Sequence, residues 1–444
     1  MSARGEFSSR LGFVLAAAGS AVGLGNIWGF PSQVAQNGGA AFVLVYLILA
    51  FFLAYPVLMA ELIIGRATRA NVVDALGAIT QSKAGRYVGL WGALTASLIL
   101  SFYAIVSGWM LAFFVESTLT LVTDKSSLTW FVDFSFSRNW FFCLLFLSFT
   151  AAIVTGGVRQ GIEKWSVRLM PTLVILIVAL IIYVSLQEGA MDGWRAYLIP
   201  DFSKVTDPEL LISAMGQAFF SMSLGVGTML VYGSYIAKSE NLPALGASVA
   251  LVDIGVAVLA GMLIIPAMYV AQANGVAIFT ESGTLIEGDA LIFNVLPSLF
   301  ASIGIIGVVI ASVFFALMSI AAVTSSISML EVPVSYLVED KAVSRTKAVW
   351  VMTLVILGIS TVIITNFGDL FGLVITVTTQ YSQPLLGLIM CIFVGWVWRR
   401  NAILSELKQG FSGAEQSLFW KIWPVYVKFV CPIIIGVMFI RTVL

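Results

Sequence analysis

The sequence predicts an all-α polytopic membrane protein built as two inverted halves, each opened by a broken helix. Three observations carry this prediction. Of the 444 residues, 60% are hydrophobic and 10% charged, with a mean hydropathy of +1.01; a soluble chain carries about 25% charged residues. Apolar runs of about 20 residues or more recur along the chain, long enough to cross lipid as helices and unlike the alternating strands of a barrel. The first and sixth runs are interrupted by glycine-rich stretches, Gly19-Ser20-Ala21-Val22-Gly23-Leu24-Gly25-Asn26-Ile27-Trp28-Gly29-Phe30-Pro31 and Phe219-Phe220-Ser221-Met222-Ser223-Leu224-Gly225-Val226-Gly227. Breaks in matching spans of two halves point to a transporter's midplane site.

Taken in order, hydropathy gives eleven spans, near 10–30, 39–65, 87–120, 139–156, 165–187, 210–236, 244–272, 300–330, 346–365, 369–398 and 422–443. The third is too long for an upright helix and is expected to tilt or project. The 273–299 connection ends in an amphipathic segment, Asp289 to Leu296, expected to cap the external face. Spans one to five and six to ten form the two repeats (1–200 and 205–400) of a single domain. Five is odd, so the copies are inverted. Residues 401–444 add an internal loop and the eleventh span. Met1 to Arg10 lacks a cleavable signal pattern.

Basic residues set the orientation. One side holds Arg4, Arg10, Arg66, Arg69, Lys83, Arg86, Arg159, Lys164, Arg168, Lys238, Lys341, Arg345, Lys347, Arg399, Arg400 and Lys408; the other holds Lys125, Arg138, Arg195 and Lys204 among many acids. The N-terminus is therefore expected to be cytoplasmic and the C-terminus external. The chain has no histidine. Cys143, Cys391 and Cys431 sit singly in apolar spans and read as packing residues. No nucleophile–base pair or metal-ligand cluster stands out in the spans, so no enzyme is expected. The lipid bilayer is the expected partner, and no nucleic acid.

Each interruption offers ligand chemistry. Glycine weakens a helix interior by roughly 1 kcal/mol relative to alanine. A helix that opens at Gly19 to Gly25 frees peptide groups that hydrocarbon cannot solvate. Amides near Gly23 to Gly25 suit a carboxylate, and carbonyls near Gly19 and Val22 suit a hard cation. The bland alternative is a small-residue packing face. The second break adds Ser221 and Ser223, with Gln217 one turn earlier. Thr324 and Ser325 in the eighth span supply neutral oxygens fit for sodium, although such hydroxyls commonly bond their own backbone. Asp253 is the sole acid in the seventh apolar run, and an intramembrane carboxylate is a functional hypothesis by default. Glu61 and Glu331 read as structural groups bonded to nearby backbone. Gly161 and Pro171 bracket a segment that can unwind at the start of span five.

The Gly19-to-Pro31 stretch, Gln36-Asn37-Gly38-Gly39-Ala40-Ala41-Phe42 after it, the Ser221-to-Gly227 break and Thr324-Ser325-Ser326 together closely resemble the neurotransmitter:sodium symporter family, in its bacterial form. The resemblance covers spans one to ten. It implies the LeuT fold, alternating access and residence in a bacterial inner membrane. It also implies two sodium ions. Site one would use Ala21, Asn26, Ser221 and Asp253; site two would use Gly19, Val22, Ala321, Thr324 and Ser325. The substrate pocket would comprise Ser20, Ala21, Gly23, Gly25, Ile99, Tyr103, Phe220, Ser223, Val226, Ser325 and Met329. Gly23 stands where monoamine-carrying members have an aspartate, which favours an amino acid that brings its own carboxylate. Asp253 fits the carboxylate of chloride-independent members, so no chloride requirement is expected.

The resemblance places the cytoplasmic gate at Arg4, Ser234, Tyr235 and Glu339, with Asp340 as an alternative acid. It departs at Gly29, where the family usually has the outer-gate arginine; Phe220 is an alternative closure. The function implied is sodium-coupled import of a small amino acid or related zwitterion. The alternatives are an amino-acid sensor of the same fold and a proton-coupled permease.

Overall fold

The computed structural model describes residues 5–123, 135–279, 285, 296, 300 and 304–443. Asp289 and most of the segment expected to cap the external face, as well as Arg4, lie outside the described residues.

The chain forms helices in the predicted places. The first span is two helices, α1 (Arg10–Ala21) and α2 (Gly25–Gln36), bent by 54° across the break. Next come α3 (Ala40–Thr68), α4 (Val72–Thr80), α5 (Lys83–Thr123), α6 (Phe136–Thr155), α7 (Val158–Ser185) and the short α8 (Ala190–Leu198). The sixth span is α9 (Pro208–Ser221) and α10 (Thr228–Gly233). It is followed by α11 (Leu242–Ala273), α12 (Ile305–Glu339), α13 (Arg345–Thr365), α14 (Phe367–Val397), α15 (Arg400–Gly410) and α16 (Leu418–Thr442). Among the described residues, nine helices are long and apolar enough to cross a membrane, or ten when the bent pair counts as one span. The sixth span escapes that count because its break leaves two short pieces.

Local chemistry explains the boundaries. Ser9 caps α1 by accepting from Gly12 N (2.9 Å), and Asn71 caps α4 from Val73 N and Asp74 N. Pro208 stands in the first turn of α9, where its missing N–H costs no helix bond. In the second break Gly225 and Gly227 have φ of 85° and 84°, a region costly for residues with a Cβ. Ser223 adopts φ 51° without that excuse, a local strain held by its surroundings.

α5 and α12 make the most extensive helix contact, and α1 packs against α7, α11 and α12. Phe113 of α5 stacks on Phe315 of α12 with centroids 4.6 Å apart. The broken helices are thus enclosed by a continuous apolar core. Cys143, Cys391 and Cys431 are free and buried within it, as packing residues are. Arg66 is wholly buried but paired: its Nε donates to Glu406 of α15 at 2.7 Å, and Lys238 joins the same carboxylate at 2.8 Å.

Close backbone approach fixes α10 against α3. A Cβ on Gly65 would stand 1.9 Å from the Leu230 carbonyl oxygen. Gly65→Ala is therefore expected to destabilise the protein by about 1–3 kcal/mol through overpacking. Gly358→Ala on α13, where a Cβ meets nothing within 4 Å, is expected to be neutral or mildly stabilising. Thermal melts of the two purified variants in detergent check the contrast.

Candidate functional site

The two breaks meet at the centre of the bundle, and side chains from five other helices converge on them. Asn26, in the first turn of α2, is fully buried. Its Nδ2 donates to Asp253 Oδ1 (2.7 Å) and to Ser221 Oγ (2.9 Å), while its Oδ1 accepts from Gly23 N (3.1 Å). Ser221 Oγ lies 2.9–3.0 Å from both Asp253 oxygens, and Tyr46 O–H approaches Ser221 Oγ at 3.4 Å. The three side chains predicted for the first ion site are therefore in mutual contact. The fourth member, Ala21, ends α1 beside them. Ser221 and Asp253 contribute hard oxygens, one of them a carboxylate, a chemistry suited to a hard cation rather than to a soft metal, while Asn26 turns its amide N–H toward them.

The second predicted set also converges. Ser325 Oγ of α12 lies 3.3 Å from Gly19 O and 3.1 Å from Val22 O. Thr324 Oγ1 lies 3.0 Å from Ala321 O. A Cβ on Gly19 would come within 3.2 Å of Thr324, so α12 presses directly on the break. The opened carbonyls of α1 and the hydroxyls of α12 share one polar nook in apolar surroundings.

Between these sets lies a small cavity of about 20 Å³, lined by Ala21, Gly23, Gly25, Ile99, Tyr103, Phe220, Ser223, Val226, Ser325, Met329 and Gln383. Among the described residues that line it, no side chain is charged. A Cβ at Gly23 would fall 2.4 Å from Ser325 Oγ and 2.7 Å from Tyr103 Oη, so the glycine is what keeps this end of the cavity open. At Gly25 a Cβ would press on the Phe220 ring at 2.9 Å. Ten of the predicted pocket residues line the cavity. Ser20 does not: its hydroxyl donates to Ser328 Oγ (2.6 Å) and its carbonyl accepts from Ser223 Oγ (3.3 Å).

A second, larger cavity of about 520 Å³ reaches Tyr103 and Phe220 from the side of the molecule opposite the N-terminal segment. These two side chains line both cavities and form the partition between them. Gly29 lines this vestibule too, facing Gln217, whose Nε2 donates to Gly25 O at 2.7 Å. No charged side chain is among the described residues that line it.

The N-terminal side is closed instead. Phe7 is buried against Phe13, Tyr232 and Tyr235, and its N donates to Tyr235 O (3.1 Å). Ser8 N and Oγ both donate to Glu163 of α7, at 2.8 and 2.6 Å, beside the π-helical turn Val158–Glu163. Of the predicted gate residues, Ser234 bonds its own helix at Val231 O, and Tyr235 donates to Glu331 Oε1 (2.7 Å). Glu339 accepts from Asn71 N and Nδ2 (2.8 and 3.1 Å). Asp340 pairs with Arg86 and Lys341, which hold its carboxyl below the usual range, Lys341 foremost.

Two structural expectations resolve differently. Glu61 bonds backbone as read, accepting from Gly225 N at 2.6 Å, and so braces the second break. Glu331 does not: it is fully buried in an ion pair with Arg345, at 2.6 Å. The residues missed were Arg345, Glu163 and Gln383. Gln383 comes after a run of polar residues, Thr376 to Ser382, inside an apolar span; that run was the available signal.

Two broken helices meeting at a small cavity whose described lining residues are uncharged, in a bundle of apolar spans, define a membrane transporter of the broken-helix class. The sequence model described as "Sodium:neurotransmitter symporter family" matches residues 4–139 and 134–444. The chain is 34% identical to an uncharacterized sodium-dependent transporter of Haemophilus influenzae, covering 98% of both chains. It is 32% identical to the uncharacterized sodium-dependent transporter YhdH of Bacillus subtilis, covering 99% of this chain and 97% of the other. Its fold is similar to that of MhsT in a crystal structure in complex with L-phenylalanine, with a TM-score of 0.85, 35% identity and coverage of 99% and 100%. The chain belongs to the sodium:neurotransmitter symporter family: it is a multi-pass, sodium-dependent symporter with the LeuT fold, not an enzyme.

The buried pair near the closed side generates a test. Arg345→Ala leaves the Glu331 carboxylate buried beside Tyr235 with its cation gone, and is expected to destabilise the protein by about 3–5 kcal/mol. The double variant Arg345→Met with Glu331→Met is expected to recover most of that loss. Melting of both variants beside the parent protein measures the difference.

Proposed function

We propose that this symporter imports a small zwitterionic amino acid, or a close relative, together with sodium by alternating access, and that it needs no chloride. The observation that carries this reading is the neutral cavity set directly against the Asn26–Ser221–Asp253 cluster. A cavity without charged side chains suits a solute with no net charge. Its carboxylate would lie at the Gly23, Tyr103 and Ser325 end, next to the ion. The complex of MhsT with L-phenylalanine supports an amino-acid substrate.

Two sodium ions are proposed, one at Ala21, Asn26, Ser221 and Asp253 and one at Gly19, Val22, Ala321, Thr324 and Ser325. Asp253 supplies the fixed negative charge that an anion would otherwise bring. Sodium at site one would meet the substrate carboxylate directly. Each would strengthen the other's binding, as linkage requires. Sodium biases the protein toward the state open through the vestibule only by binding that state better. Tyr103 and Phe220 serve as the outer closure in place of a charged gate at Gly29. On the inner side Arg4, Glu339, Ser234 and Tyr235 are the proposed gate, with Phe7 seated against Tyr235. We assign residues 1–200 and 205–400 to the two inverted repeats of one domain, with the N-terminus cytoplasmic and the C-terminus external in a bacterial inner membrane.

The test is uptake into proteoliposomes from a panel of labelled amino acids, driven by a sodium gradient against a potassium control and repeated with gluconate replacing chloride. Uptake of at least one amino acid is expected to require sodium and to be indifferent to chloride. Asp253→Asn is expected to raise the sodium concentration for half-maximal uptake at least about tenfold, a loss of ~1.4 kcal/mol or more. Sodium-dependent binding without flux would instead establish a sensor, and flux driven by a pH gradient without sodium would establish proton coupling.

A further inference from the structure

Gln383 stands apart from the other polar groups at the cavity. It is 2% exposed, it lines the cavity from α14, and its Oε1 has no hydrogen-bond partner. The orientation of its amide is determined: Nε2 donates to Leu224 O at 3.1 Å, and a carbonyl can only accept, so the oxygen is the free end. The backbone holds it there. A Cβ on Gly225 would come 2.3 Å from the Gln383 carbonyl, so α14 abuts the second break. A π-helical turn, Thr376–Ser382, immediately precedes Gln383. Such a turn inserts a residue and rotates the next stretch of helix, and it is found often at functional sites.

The position of this oxygen along the cavity matters. Tyr103, Ser325 and the opened backbone at Gly23 form one end. Gln383 is anchored away from Gly23, by its amide at Leu224 and by its backbone against Gly225, next to Val226 in the chain. A buried acceptor left unpaired is costly, about 1–3 kcal/mol. A ligand that supplies a donor at that point gains what one without it forfeits. With no acid among the described lining residues, a donor without charge is the one that fits.

We infer that Gln383 is a specificity-determining residue that selects amino acids whose largely apolar side chain ends in one neutral hydrogen-bond donor, a hydroxyl or an indole N–H. This rests on the amino-acid reading above and names the substrate class within it. Gln383 Oε1 accepts the substrate's side-chain O–H or N–H, and the matched side chain lacking the donor leaves that oxygen unpaired. Sites built to bond a substrate hydroxyl reject the analogue lacking it far more strongly than apolar pockets reject a size change.

The experiment is sodium-dependent equilibrium binding to the purified full chain, using the matched pairs threonine and valine, serine and alanine, and tyrosine and phenylalanine, with tryptophan as an indole probe. In at least one pair, or for tryptophan against phenylalanine, the donor-bearing member is expected to bind about tenfold tighter or more. In Gln383→Met, which keeps the volume and removes the acceptor, that preference is expected to shrink to about twofold or less by the same accounting. Sodium-dependent binding of the apolar member shows that the variant is folded, and the ratios in the unaltered protein decide without it. Binding with no donor preference, or a preference that survives Gln383→Met, overturns the role of Gln383 and leaves the amino-acid reading standing. No sodium-dependent binding of any probe overturns the amino-acid reading itself, and the inference with it.

Discussion

A helix broken inside a membrane leaves peptide groups that hydrocarbon cannot solvate, and the polar architecture of this protein is a response to that constraint. Gly23 N is taken by Asn26, Leu24 N by the Tyr103 oxygen and Gly25 O by Gln217. The carbonyls of Gly19 and Val22 face Ser325. In the second break, Gly225 N is held by Glu61 and Leu224 O by Gln383. The partners stand on α2, α3, α5, α9, α12 and α14. Few helices can therefore shift without exposing a backbone group to lipid. Asn26 and Ser325, two of these groups, are also among the proposed sodium ligands, so on that proposal part of the cost of opening the helices and the capacity to bind ions have one source.

The two faces are closed by different physics. On the N-terminal side the seal combines an aromatic plug at Phe7 with hydrogen bonds from Ser8 to Glu163 and the ion pair of Glu331 with Arg345. Glu163 ends the π-helical turn at the start of α7, so loosening that turn and releasing the N-terminal segment are mechanically linked. A Cβ at Gly161 would collide with Ile153 O at 2.1 Å, which shows how tightly the turn is folded back on α6. On the opposite side Tyr103 and Phe220 stand between the vestibule and the deeper cavity.

Much of this was legible in the sequence because lipid makes polar residues conspicuous. Asp253, Asn26, Ser221 and the Thr324–Ser325 pair each interrupt an apolar run, and their chemistry could be read before their contacts were known. What could not be read was phase and long-range pairing. Ser20 faces Ser328 rather than the cavity, because the rotation of the last turn of α1 depends on where the helix opens. Glu331 was read as bonded to backbone, yet its partner Arg345 lies fourteen residues away, beyond the turn at Asp340. Ser8 and Glu163 are 155 residues apart, and nothing local links them. Gln383 acquires its inward position from a π-helical turn that hydrophobic periodicity does not register.

The vestibule carries one further consequence. With Gly29 at its wall and no charged side chain among the described lining residues, it has little local field with which to concentrate ions or orient a dipolar solute. Clefts lined by one sign of charge accelerate capture through electrostatic focusing, at the cost of sensitivity to salt. The described lining residues supply no such one-signed charge, so on the proposed function discrimination falls to the deeper cavity.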